Sequence, residues 1–103
     1  MRVPTDRPPT PPGEMLREEF LEPLGMTQAE LAQRIGVSYV RVNEIVNGKR
    51  GITPATALRL ARVFGTTAHF WLNGQLAQDL FQVSHDEEQI RDLERIEPVR
   101  RAS

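Results

Sequence analysis

A chain of 103 residues leads us to expect one compact domain, with room for a single helical core. It contains no cysteine, which excludes a disulfide framework and thiolate metal sites and fits a reducing cytoplasm. The formal net charge is −1, no apolar run approaches the roughly 20 residues that span a bilayer, and the start MRVPTDRPPTPP lacks the apolar core of a secretory signal.

Residues 1–10 are Pro-rich and polar, and read as a mobile arm. Pro11 and Pro12 suit a helix start, where a missing N–H is harmless. Met15, Leu16, Phe20 and Leu21 fall on one stripe of that first helix, and Pro23 and Gly25 are expected to end it. Thr27 and Glu30 form a capping box for a second helix with Leu31, Ala32 and Ile35 inward. Gly36 supplies the left-handed turn, and Ser38 caps a third helix running to about Val46, with Asn47-Gly48 as its exit.

Thr53-Pro54 opens a fourth helix that Gly65 closes. Thr66 or Thr67 caps a fifth, with Gly74 as an interruption worth about 1 kcal/mol relative to alanine. Ser84 with Glu87 suggests a capping box for a last, mostly charged segment over 85–96, with Ile90, Leu93 and Ile96 on a thin stripe and Pro98 as its stop. The expected fold is all-α, with five or six helices. Its parts are the arm (1–10), a helix-turn-helix domain with a dimerisation helix (11–82) and a charged helix or tail (83–103).

Charge is unevenly distributed. Residues 27–63 carry a net +4 from Arg34, Arg41, Lys49, Arg50, Arg59 and Arg62 against Glu30 and Glu44, whereas residues 64–97 carry −5. A basic centre between acidic flanks fits nucleic-acid binding better than the total does. Within it, Val42 and Ile45 form the inward stripe of the third helix, while Val40, Asn43, Glu44 and Asn47 follow i, i+3, i+4, i+7 on another face. With Ser38 and Tyr39 at the N-terminus and Arg41 at the edge, that face suits base edges in a major groove. Phe70, Trp71 and Leu72 are three consecutive large residues that cannot all face one core, so with Leu76 and Leu80 they mark a dimer interface. His69 and His85 lack a third ligand at any metal spacing, and no nucleophile–base pair or phosphate loop is evident. No metal, cofactor or catalytic residue is expected, and the chain does not read as an enzyme.

Residues 27–50 resemble the helix-turn-helix of the Cro/C1-repressor (XRE) class. The wider stretch from Pro12 to about Leu80 is similar to HigA-type antitoxins of bacterial toxin–antitoxin modules. The segments that carry the resemblance are PPGEMLREEFLEPLGMTQAELAQRIGVS, VNEIVNGKRGITPATALRLARVFGT and FWLNGQ, and the chain departs from the pattern at Ala68-His69 and Gly74. The resemblance implies base reading by Ser38, Tyr39, Val40 and Glu44, with Arg41 on guanine or phosphate, a choice the residues leave open. It implies phosphate contacts by Gln28, Asn47, Lys49 and Arg50. It also implies a homodimer on a palindromic operator of double-stranded DNA, repression of its own operon and a cytoplasmic location at the nucleoid. The implied protein partner is a small basic HigB-like toxin, an mRNA endonuclease of the RelE-like fold, neutralised by binding. Glu14, Glu18, Glu19 and Glu22 on the first helix are the preferred toxin-binding surface, ahead of the acidic segment 85–97. A stand-alone transcriptional repressor with no toxin is the alternative.

Overall fold

The structure, a computed structural model, describes residues 7–100. Of the expected arm, residues 1–6 lie outside the described residues, as does Arg101 of the tail; Arg7–Pro11 has no helix or strand. Six helices follow, with no strand among the described residues. Helix α1 covers 12–24, α2 Gln28–Ile35, α3 Tyr39–Val46, α4 Pro54–Phe64, α5 Ala68–Ser84 and α6 Glu87–Glu94.

Pro23 does not end α1. The helix runs through it to Leu24, and Gly25, left-handed at φ 62°, closes it. The preceding turns, Leu16–Leu21, are π-helical, and the Glu22 N–H donates to the Arg17 carbonyl five residues back. An ordinary α-turn would press a proline ring onto the carbonyl four residues earlier. The wider π-turn relieves that clash.

The expected caps at Thr27, Ser38 and Thr53 form, each side chain accepting from the backbone N–H three residues on. At Thr27 the box is one-sided, because the Glu30 carboxylate pairs with Arg34 at 3.0 Å. Gly36 adopts the left-handed conformation, φ 70°, that the turn between α2 and α3 demands. Thr67 caps α5, while the Thr66 hydroxyl accepts from the Trp71 indole N–H at 2.8 Å. Two adjacent threonines thus serve different purposes.

Two expectations near the C-terminus need correction. Gly74 does not interrupt α5, which is continuous from Ala68 to Ser84. Asp86, not Ser84, caps α6 and accepts from Glu88 and Gln89. Ser84 is the last residue of α5, and its hydroxyl donates to the Phe81 carbonyl. The Asp86 side chain sits directly before the helix, where a carboxylate also meets the positive end of the helix dipole.

The core joins Leu16 and Leu21 of α1, Leu31, Ala32 and Ile35 of α2, Val42, Ile45 and Val46 of α3, Ile52, and Ala57 and Leu60 of α4 to Trp71. Trp71 is 1% exposed, so it is a core residue and offers no area to a dimer interface, which corrects its assignment there. Leu72 is half-buried against the same core. Phe20, Phe64 and Phe70 surround the indole with ring centroids 5.0, 6.2 and 5.0 Å from it. Three large residues in a row are accommodated because the first is partly exposed at the cluster's edge, the second is enclosed and the third is shared.

Gly13 explains how α1 sits on α3. A Cβ there would lie 1.9 Å from the Ile45 carbonyl oxygen, so only glycine permits this approach. Helix α1 therefore buttresses the C-terminal end of α3 from behind and leaves the opposite face open.

Candidate nucleic-acid interface

Helix α3 spans eight residues, about 12 Å of length, and an α-helix, about 10–12 Å across with its side chains, fits the width of a major groove. Its inner face is sealed by Val42, Ile45 and Val46. Its outer face carries Tyr39 and Val40, 53% and 63% exposed, beside exposed Arg41. Ser38 is also exposed, and its Oγ accepts from the Arg41 backbone N–H at 3.1 Å. That hydroxyl acts as a cap and retains its own O–H for another acceptor.

The other expected site residues divide into two groups. Gln28, at the first turn of α2, accepts through Oε1 from Asn43 Nδ2 at 2.9 Å. Asn43 Oδ1 accepts in turn from Asn47 Nδ2 at 3.1 Å. A chain of three amides therefore ties α2 to α3 and fixes the rotation of the outer face. The Gln28 amide N–H groups stay outside that bond and can serve a phosphate at the N-terminus of α2.

Glu44 is paired with Arg50, Nε to Oε1 at 3.0 Å, rather than with Arg41. The Glu44 carbonyl also accepts from the backbone N–H groups of Lys49 and Arg50, at 2.8 and 3.2 Å. The far end of this loop is held by Gln75 of α5, whose Oε1 accepts from the Ile52 N–H at 2.8 Å. Lys49 and Arg50 are exposed on a loop anchored at both ends. Arg41 and Lys49 face no carboxylate among the described residues, so their charges remain available to an anion.

Periodicity places Asn43 on the outer face of α3 without its bonding role, and Gln75 and Arg59 escape a reading by residue type. Asn43 is the centre of the amide chain and Gln75 anchors the loop. Arg59, which composition alone suggests is a solvated charge, donates through Nη1 to the Ile35 carbonyl and so caps the C-terminus of α2. The FWLNGQ segment held the signal for Gln75, whereas no local pattern links Arg59 to Ile35, 24 residues away.

A capped helix with a sealed inner face and a polar outer face, set behind a glycine turn, defines a DNA-binding protein of the helix-turn-helix class. The chain belongs to the helix-turn-helix family, which matches residues 17–71, and within it to the HigA-type proteins. It is 46% identical over 77 residues to antitoxin HigA-1 of Vibrio cholerae, covering 75% of this chain and 72% of that one. It is 44% identical over 93 residues to YbaQ of Escherichia coli K12, an uncharacterised HTH-type transcriptional regulator, covering 90% and 82%. The structure of Pseudomonas aeruginosa antitoxin HigA with the higBA promoter superposes with a TM-score of 0.80 at 40% identity, covering 88% and 98%.

Proposed function

We propose that this protein is an antitoxin that binds a palindromic operator as a homodimer, represses its own operon and neutralises a small RelE-like mRNA endonuclease. The outer face of α3, held in place by Gln28, Asn43 and Asn47, is the observation that supports the DNA-binding part of this reading most directly. Ser38, Tyr39, Val40, Arg41 and Glu44 read bases; Gln28, Asn47, Lys49 and Arg50 hold phosphates and set register. Glu44 reaches cytosine N4 only by sharing or releasing Arg50. One helix makes too few base contacts for a useful site, so two copies related by a two-fold axis act on half-sites about one helical turn apart. Phe70, Leu76 and Leu80, all 42% or more exposed on α5, supply that contact, with Leu72 behind them.

Residues 11–82 act as the DNA-binding and pairing unit, and the charged segment from 83 onward is an appendage. The toxin docks on α1. There Arg17 binds both Glu18 and Glu22, at 3.2 and 3.3 Å, so Glu14 and Glu19 are the carboxylates left for a basic partner. The protein works in the bacterial cytoplasm, at the nucleoid, and catalysis belongs to the toxin. No helix among the described residues is long and apolar enough to cross a membrane.

Co-expression with the adjacent reading frame, followed by co-purification, tests the antitoxin role; a footprint on the chain's own promoter tests repression. A footprint without any co-purifying partner favours the alternative, a stand-alone repressor, which the likeness to a named transcriptional regulator also supports.

A further inference from the structure

Two surfaces outside the DNA-facing side lack a partner, and they complement each other. The first is an open groove of about 680 Å³ along α2 and α4, with Ile35, Leu58 and Val63 as its apolar lining and Arg34, Arg59 and Arg62 around it. Leu58 is 64% exposed. Arg34 is bound to Glu30 and Arg59 to the Ile35 carbonyl, but Arg62 meets no carboxylate among the described residues. A smaller depression, about 400 Å³, continues over Leu58 and Arg62 to Thr66, just before α5.

The second surface is α6. Ile90 and Leu93 remain exposed on one stripe, and Glu87 and Glu94, at i−3 and i+4 from Ile90, flank them on the same side. An apolar stripe edged by carboxylates matches an apolar groove edged by an unpaired guanidinium.

The two cannot meet within one chain. Helix α5 has 17 residues, about 25 Å, between Thr66 beside the groove and the α5–α6 turn at His85. Helix α6, eight residues and about 12 Å, covers less than that distance when it folds back. A two-fold axis across α5 removes the obstacle. It runs the two α5 helices antiparallel and places the C-terminal end of one beside the N-terminal end of the other.

We infer that α6 of each copy docks by its Ile90–Leu93 stripe into the Leu58–Arg62 groove of a second copy, so that the dimer is clasped by an exchange of C-terminal helices. The inference rests on the two-fold pairing of α5 proposed above. A basic partner is disfavoured in this groove by its arginines, and a second copy is the occupant whose acidic, apolar helix is already present.

The absence of native cysteine gives a direct test. Full-length Leu58→Cys and Leu93→Cys proteins, both changed at exposed sites, are mixed in a glutathione redox buffer. Products are resolved on a non-reducing gel and by mass spectrometry, and wild-type protein is sedimented in parallel. A mixed covalent dimer should dominate. Its yield should fall at least fivefold when Arg62→Glu is added to the Leu58→Cys chain, or when Leu24→Cys on α1 replaces Leu93→Cys. A sedimenting wild-type dimer without the mixed product overturns the inference and leaves the α5 pairing standing. A wild-type monomer overturns both. If the Leu58→Cys thiol alkylates freely in the dimer and is protected only by a co-purified protein, the groove belongs to that protein and the inference fails.

Discussion

The Oε1 atom of Gln28 accepts a hydrogen bond from Nδ2 of Asn43 at 2.9 Å, joining the first turn of α2 to the middle of α3. The bond is half-buried and bridges 15 residues, so it locks the angle between the two helices that must meet DNA together. If both members act through this bond, Gln28→Ala and Asn43→Ala should be coupled in operator binding. A double-mutant cycle on the footprinted site should return an interaction of about 1 kcal/mol, roughly fivefold in Kd. Strictly additive losses would show that each amide contacts DNA on its own.

The readers and the holders should separate experimentally. Arg41→Ala and Glu44→Ala should change the preferred base at specific operator positions. Lys49→Ala should weaken every sequence alike and lower the slope of log Kd against log salt by about one counterion. Because Glu44 also restrains Arg50, Glu44→Ala should reduce affinity for the native site even where cytosine is absent. A uniform loss from Arg41→Ala, Glu44→Ala and Lys49→Ala would refute the division of roles.

Two glycines in helices should respond oppositely to alanine. At Gly13 the added methyl runs into the Ile45 carbonyl, with a second carbonyl, that of Val46, 3.0 Å away, and neither backbone can yield without shifting α3. Gly13→Ala should destabilise the fold by about 1–3 kcal/mol. At Gly74 the nearest atom lies 3.6 Å away on the Pro12 ring, an ordinary contact. Gly74→Ala should therefore stabilise by up to about 1 kcal/mol. Thermal melts should resolve both, since about 1 kcal/mol moves Tm by roughly 4–8 °C in a domain of this size. A Gly13→Ala protein melting with the wild type would sink the close-approach argument.

The indole of Trp71 offers a third stability test. Its N–H depends on the Thr66 hydroxyl, and Thr66→Val keeps the shape while removing the acceptor. A buried donor left without a partner should cost about 1–3 kcal/mol. Thr67→Val, which removes only the α5 cap, should cost about 1 kcal/mol. A Thr66→Val protein that melts with the wild type would contradict the support this hydroxyl gives the indole.

Much of the architecture was legible in the sequence because it is written in short-range grammar. Thr27, Ser38 and Thr53 announce helix starts within three residues of the N–H groups they satisfy, and Gly36 announces the turn. The errors fell where distant or competing groups decide. Pro23 suggested a helix end, but a π-helical stretch one turn earlier lets the chain continue. Ser84 and Asp86 compete for one cap, and the carboxylate adjoining the helix prevails. Gly74 suggested a break, yet sixteen other residues and the docking of α5 on α4 hold the helix together. Within the site, the buried stripe of Val42 and Ile45 on α3 followed from periodicity. The bonds from Arg59 to Ile35 and from Gln75 to Ile52 did not, because they join residues more than 20 positions apart.

The enclosure of Trp71 has a practical consequence. It is the chain's single tryptophan, packed among three phenylalanines that come from α1, α4 and α5 and none from α3. Its emission is thus a built-in optical signal for the folded core. Unfolding should shift that emission to the red, whereas titration with operator should leave its wavelength almost unchanged. One cuvette can therefore separate a variant that has lost its fold from one that has lost only its grip on DNA.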